Sequence, residues 1–117
     1  LIKQPSAIKR GRRPCTMSMD EFMKEWKIQF QKTRLICPKL GIQMTYTGGE
    51  SKVRTNISVD RIDSKKDYEK GNVQFVSHVY NIMKQHYTDE EVDKICLLRA
   101  GVIKKELENG QKKVVGG

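Results

Sequence analysis

One stretch, residues 57–86, restricts the fold more than any other. Ile57-Ser58-Val59-Asp60-Arg61-Ile62 alternates apolar and polar side chains, the pattern of a short β-strand. A polar loop over residues 63–71 follows, and Gly71-Asn72 supplies turn chemistry. Val73-Gln74-Phe75-Val76 reads as a second strand. Ser77 is placed to cap a helix that runs through Asn81 to about His86. The order strand, polar loop, strand, helix sets Asp60 near the end of one strand and Asn81 about one turn into the helix. A hairpin folded onto that helix can bring both side chains to one point.

The flanks read as helices. Ser18 and Glu21 form an S-x-x-E capping box, and Phe22, Met23, Trp26 and Phe30 recur behind it at helical spacing, which predicts a helix over residues 18–35. That stripe is expected to be core packing, with Trp26 as an anchor rather than a base-stacking platform. Ile42, Met44 and Tyr46 alternate with polar residues and suggest a further strand, followed by a Gly48-Gly49 turn. Thr88 and Glu91 form a second capping box. It opens a last helix with apolar positions at Val92, Ile95, Cys96, Leu97 and Leu98, extended past Gly101 by Val102, Ile103 and Leu107. Residues 1–17 are expected to be a flexible arm and residues 109–117 a flexible tail, leaving one domain over 18–108.

The chain carries a net charge of +9 over 117 residues. A small domain so basic attracts polyanions over long range, and nucleic acid is the expected partner. The run Lys9-Arg10-Gly11-Arg12-Arg13 resembles an AT-hook-like arm that enters the minor groove; a solvated basic tail explains it equally well. Lys52 and Arg54 alternate in their stretch and are candidate phosphate contacts, with a charged solvent face as the alternative. The three cysteines, Cys15, Cys37 and Cys96, are isolated, so neither a disulfide framework nor a structural zinc site is expected. The isolated cysteines suit the reducing interior of a cell, so the compartment is taken as intracellular; no apolar run reaches membrane-spanning length, and no membrane partner is expected.

A carboxylate and an amide oxygen at Asp60 and Asn81 suit a hard divalent cation, Mg²⁺ first and Mn²⁺ second. Two protein ligands leave positions for water and phosphate oxygens, as metal-assisted phosphodiester hydrolysis requires. Ser58-Val59-Asp60-Arg61-Ile62-Asp63-Ser64, Gly71-Asn72-Val73-Gln74-Phe75-Val76 and Asn81-Ile82-Met83-Lys84 together resemble the phage-type HNH endonucleases, also called ββα-metal or His-Me finger proteins. The stretch Cys37-Pro38-Lys39-Leu40-Gly41-Ile42 extends the likeness, which runs from about residue 20 to 100. The resemblance implies an α+β fold, with a ββα-metal finger at about 57–86 flanked by an N-terminal and a C-terminal helix. It also implies Asp60 and Asn81 as metal ligands, Asn72 as the brace of the inter-strand loop, and Lys84 as a phosphate contact.

The sequence departs from the family at the general base. The usual histidine directly after the Asp60 position is here Arg61, which is permanently charged and cannot take a proton from water. Arg61 can instead clamp the scissile phosphate. Three sources of the base stay open: Asp63, three residues after Asp60; His78, three residues before Asn81 on the same helix face; or metal-bound water alone. The expected activity is metal-dependent cleavage of nucleic acid, DNA favoured over RNA. The alternative is a non-cleaving nucleic-acid-binding or structural component of a nucleoprotein assembly. Oligomeric state is left open.

Overall fold

The computed structural model describes residues 14–47 and 53–111. The fold is mixed α+β, with the order α1 (Met19–Thr33), β1 (Ile57–Arg61), β2 (Val73–Ser77), α2 (His78–Lys84) and α3 (Asp89–Glu108). The basic-arm residues Arg10, Arg12 and Arg13, the Gly48-Gly49 turn, Lys52 and the tail from residue 112 lie outside the described residues. Among the described residues, no helix is long and apolar enough to cross a membrane.

β1 and β2 pair antiparallel, with Val59 opposite Phe75 and Asp60 opposite Gln74. Because strand side chains alternate, Ile57, Val59 and Phe75 share one face while Ser58, Asp60, Gln74 and Val76 share the other. α1 covers the first face. Phe22 and Trp26 meet the Phe75 ring edge-on, with centroids 5.3 and 5.0 Å away. α2 covers the second face, where Cys37, Met44, Val76, Tyr80 and Val92 form a buried cluster. Cys37 is a packed core side chain whose Sγ accepts a hydrogen bond from the Ser77 N–H at 3.3 Å.

Both capping boxes form. Ser18 and Glu21 exchange side-chain-to-backbone hydrogen bonds at the start of α1, and Thr88 and Glu91 do so at the start of α3. Ser77 sits at the N-cap position of α2 but makes no side-chain cap bond. The reason lies upstream: the Asn56 carbonyl accepts from the His78 N–H at 2.8 Å and the Arg54 carbonyl from the Val79 N–H at 2.9 Å. The Arg54 carbonyl thus takes the second-position N–H that a serine hydroxyl could otherwise serve, and the Asn56 carbonyl takes the first.

Three expectations are corrected. Residues 42–46 form no strand. They make single-residue bridges, Gln43 with Ile36 and Thr45 with Asn56, because the tight 37–42 turn returns the chain after one pairing position. Only Met44 enters the core, while Tyr46 is 85% exposed. Residues 14–17 belong to the folded body rather than to an arm. Tyr68 exchanges backbone hydrogen bonds with Pro14 and Thr16, and Met17 is fully buried against Val73 and Phe75. Residues 109–111 cap α3 rather than trail from it. The Gln111 N–H reaches the Glu106 carbonyl at 2.8 Å around Gly110, whose φ of +69° suits glycine.

A two-stranded sheet leaves the outer edge of β2 without a strand partner. Gln29 of α1 fills that place. Its Nε2 donates to the Phe75 carbonyl and its Oε1 accepts from the Phe75 N–H, both at 2.7 Å. The carboxamide thus pairs with Phe75 as a peptide group would. Replacing Gln29 with Ala should destabilise the protein by about 1–3 kcal/mol, because two backbone groups lose their partner. Urea denaturation would measure this.

Candidate functional site

The face of the hairpin covered by α2 carries the polar residues singled out by sequence. Asn81 lies one turn into α2. Its Nδ2 donates to Ser58 Oγ at 2.7 Å and to the Val59 carbonyl at 3.2 Å. A carbonyl only accepts, so the amide NH₂ must face it, and Asn81 Oδ1 is turned the other way, with no hydrogen-bond partner among the described residues. Lys84 follows one turn later on the same helix side, as Asp60 follows Ser58 on the same strand face. The strand spacing and the helix spacing therefore match, and Lys84 grips Asp60.

That grip is the dominant electrostatic feature. Lys84 has no exposed surface, and Asp60 is 5% exposed. The ammonium donates to Asp60 Oδ2 at 2.7 Å, to the Ile62 carbonyl at 3.1 Å and to the Arg61 carbonyl, and pairs with Asp89 Oδ1 at 2.9 Å. Gln74 Nε2 bridges the two carboxylates, at 2.9 Å from Asp60 Oδ2 and 2.8 Å from Asp89 Oδ2. Tyr80 donates to Asp89 Oδ1 at 2.7 Å, and Lys39 closes the outer side at 3.2 Å from Asp89 Oδ2. Two carboxylates and two ammonium groups thus balance. Burial alone would raise the Asp89 pKa, but the hydrogen bonds from Lys84 and Tyr80 outweigh it and hold the carboxyl below its ordinary value. Burial and the Asp89 carboxylate push the Tyr80 hydroxyl strongly upward, so it stays a donor.

Lys84 was expected at a phosphate; complete enclosure removes it from any contact with an external anion. Sequence reading also passed over Gln74 and Asp89. The available signal was Gln74 on the inward strand face with Asp60, and Lys84 at i+3 from the inward-facing Asn81.

Beside this cluster lies a cleft of about 480 Å³ lined by Ser58, Arg61, Tyr68, His78, Asn81 and His86, among others. Arg61 is held at its rim. Its Nη1 donates to the Ser64 carbonyl at 2.5 Å and the Lys66 carbonyl at 3.1 Å, and its guanidinium lies 5.2 Å from the centre of the Tyr68 ring. Its Nε and Nη2 groups make no hydrogen bond to the described residues. Asp63 is not among the residues lining the cleft; its Oδ1 accepts from the Lys65 N–H at 2.9 Å, a local turn contact. The 63–72 loop is fastened by Asn72. Its Oδ1 accepts from the Asp63 N–H, and its Nδ2 donates to the Asp63 and Asp67 carbonyls at 3.0 and 2.8 Å. The Ser64 hydroxyl ties the loop to the His86 carbonyl. Arg54 is exposed, and its carbonyl is used at the start of α2.

Two oxygens, Asp60 Oδ1 and Asn81 Oδ1, carry no hydrogen bond from the described residues, while the other half of each side chain is anchored. Carboxylate and carboxamide oxygens are the donor type that an oxygen-preferring divalent cation takes, though Asp60 does not itself line the cleft. The described residues hold no group of three or more His, Cys, Asp or Glu side chains around one point. No family model, no curated protein and no solved structure matches this chain.

Replacing Lys84 with Met leaves two buried carboxylates without their cation and should cost about 3–5 kcal/mol in stability, measured by denaturation. Asp89 sets a pH limit. Its folded pKa lies below the ordinary 3.8, so its stabilisation is complete above that value and is lost as pH falls through the lower folded value. An acid titration of stability should show a loss below about pH 4 in the wild type that is weakened in Asp89→Asn.

Proposed function

We propose that this chain is a metal-dependent endonuclease that hydrolyses phosphodiester bonds in nucleic acid, DNA favoured, on a ββα-metal finger of the HNH type. The observation that carries this reading is the cleft, which Arg61, His78 and Asn81 line together on one hairpin–helix unit that also carries Asp60. The net charge of +9 supports a polyanionic substrate. Asp60 Oδ1 and Asn81 Oδ1 would hold Mg²⁺ or Mn²⁺, which when bound stabilises negative charge on the scissile phosphate and the leaving oxygen.

The other roles fall to residues already in place. Arg61 holds a non-bridging phosphate oxygen through its unused N–H groups, a task suited to a guanidinium fixed in advance. His78 takes the proton from the attacking water, since it is an imidazole lining the cleft and Asp63 is engaged in its loop. Ser58 holds the Asn81 amide so that Oδ1 faces outward.

One observation favours a second reading, a nucleic-acid binder that does not cleave. The Lys84 ammonium already offsets the Asp60 charge, and a divalent ion must share that carboxylate with it.

Incubation with supercoiled plasmid in Mg²⁺ or Mn²⁺ separates the two. The nuclease reading expects nicking that EDTA abolishes. His78→Ala should slow it by about 10²–10⁴-fold. Asn81→Ala should lose it, and Asp63→Ala should stay near wild type. Salt-sensitive binding of DNA or RNA without nicking would instead establish the binder.

A further inference from the structure

α3 leaves the body of the protein after its first turn, with Asp89 and Val92 as its only buried residues. Beyond them, Ile95, Leu98 and Val102 are 48%, 75% and 51% exposed. These are large apolar side chains left in water on a well-formed helix, and a contiguous set of that kind marks an interaction surface.

Their spacing says which partner fits. Positions 91, 95, 98, 102 and 105 follow one another at intervals of four, three, four and three, the seam of a heptad repeat. The seam holds Glu91 at one end, three apolar residues in the middle, and Lys105 at the other end. Leu98 is its midpoint, with seven residues to each charge. Two copies laid antiparallel about a two-fold axis at Leu98 would set Leu98 against Leu98 and Glu91 against Lys105 at both ends, with Ile95 and Val102 of opposite chains offset by one residue along the seam. A parallel pair would oppose Glu91 to Glu91 and Lys105 to Lys105, which repel. Antiparallel helices also place opposite dipole ends together. Glu91 is equipped for both tasks: its Oε1 accepts the Thr88 cap bond at 3.0 Å, and its Oε2 is not used in the cap.

We propose that α3 is a self-association surface, and that two copies of this chain pair through it as an antiparallel two-helix seam centred on Leu98. The charge match is between one end of this helix and its own other end, so the partner is a second copy rather than an unrelated protein. The contact is isologous and closes at two chains. Leu97, on another side of α3, takes no part in it. The proposal is independent of whether the cleft cleaves nucleic acid.

Sedimentation equilibrium of the full chain, from micromolar to millimolar, tests it. The expected result is a monomer–dimer equilibrium that Leu98→Asp weakens at least about tenfold and Lys105→Glu weakens less, a tenfold change corresponding to about 1.4 kcal/mol. Leu98 is exposed, so helicity by circular dichroism should be unchanged in Leu98→Asp. Orientation is read by oxidative cross-linking in a background with Cys15→Ser and Cys96→Ser. Chains with Ile95→Cys and chains with Val102→Cys should link when mixed, and neither should link alone. A monomer at every concentration, a dimer indifferent to Leu98→Asp, or efficient linking of Ile95→Cys chains to one another would overturn the proposal.

Discussion

The Lys84 ammonium is the contact on which the centre of this protein depends. It sits at the end of a short helix and reaches both carboxylates and both carbonyls that converge there. A hairpin of five-residue strands buries little by itself, and a helix of seven residues is too short to be stable alone. The ion cluster gives them a fixed relation. α2 is held to the end of β1 through Asp60, Arg61 and Ile62, and to the start of α3 through Asp89. Buried charge is expensive, and it is tolerated here because Gln74 bridges the two carboxylates while Tyr80 and Lys39 add further contacts to Asp89.

Arg61 connects that interior to the cleft. Its backbone carbonyl is bound by Lys84, while its guanidinium is bound by the loop carbonyls of Ser64 and Lys66. A long, rotamer-rich side chain is thereby ordered before any ligand arrives, and the entropy of fixing it is not charged to binding. Asn72 acts in the same direction. By pinning the loop that supplies those carbonyls, it sets the place of the guanidinium from a distance.

What could be read from the sequence was local in range. The capping boxes at Ser18–Glu21 and Thr88–Glu91 each span three residues and need nothing from the rest of the chain, and the two strands and α2 followed from alternation and turn residues. The bond of Gln29 to Phe75 spans 46 residues, and no local pattern announces it. A lysine reads as a surface residue until its partners are assembled, and those of Lys84 come from β1 and from the start of α3. Residues 42–46 misled for a related reason: alternation was present, but the neighbouring chain pairs with them at single positions. At the site, juxtaposition of Asn81 with the β1 face was legible from element order, whereas the enclosure of Asp60 required knowing what α2 carried one turn further on.

The Gln29 bridge has a consequence for the chain in company with others. A strand at the edge of a small sheet offers unpaired N–H and C=O groups to any extended segment that drifts past, and β2, with Val73, Phe75 and Val76, is apolar enough to invite one. At Phe75 the invitation is withdrawn, since both of its outward groups are already taken by a side chain that cannot pass the pairing on. Gln29 therefore acts as a stopper for sheet growth. While α1 stays docked, β2 presents an interrupted edge to other molecules, and undocking of α1 would open that edge as a template for pairing.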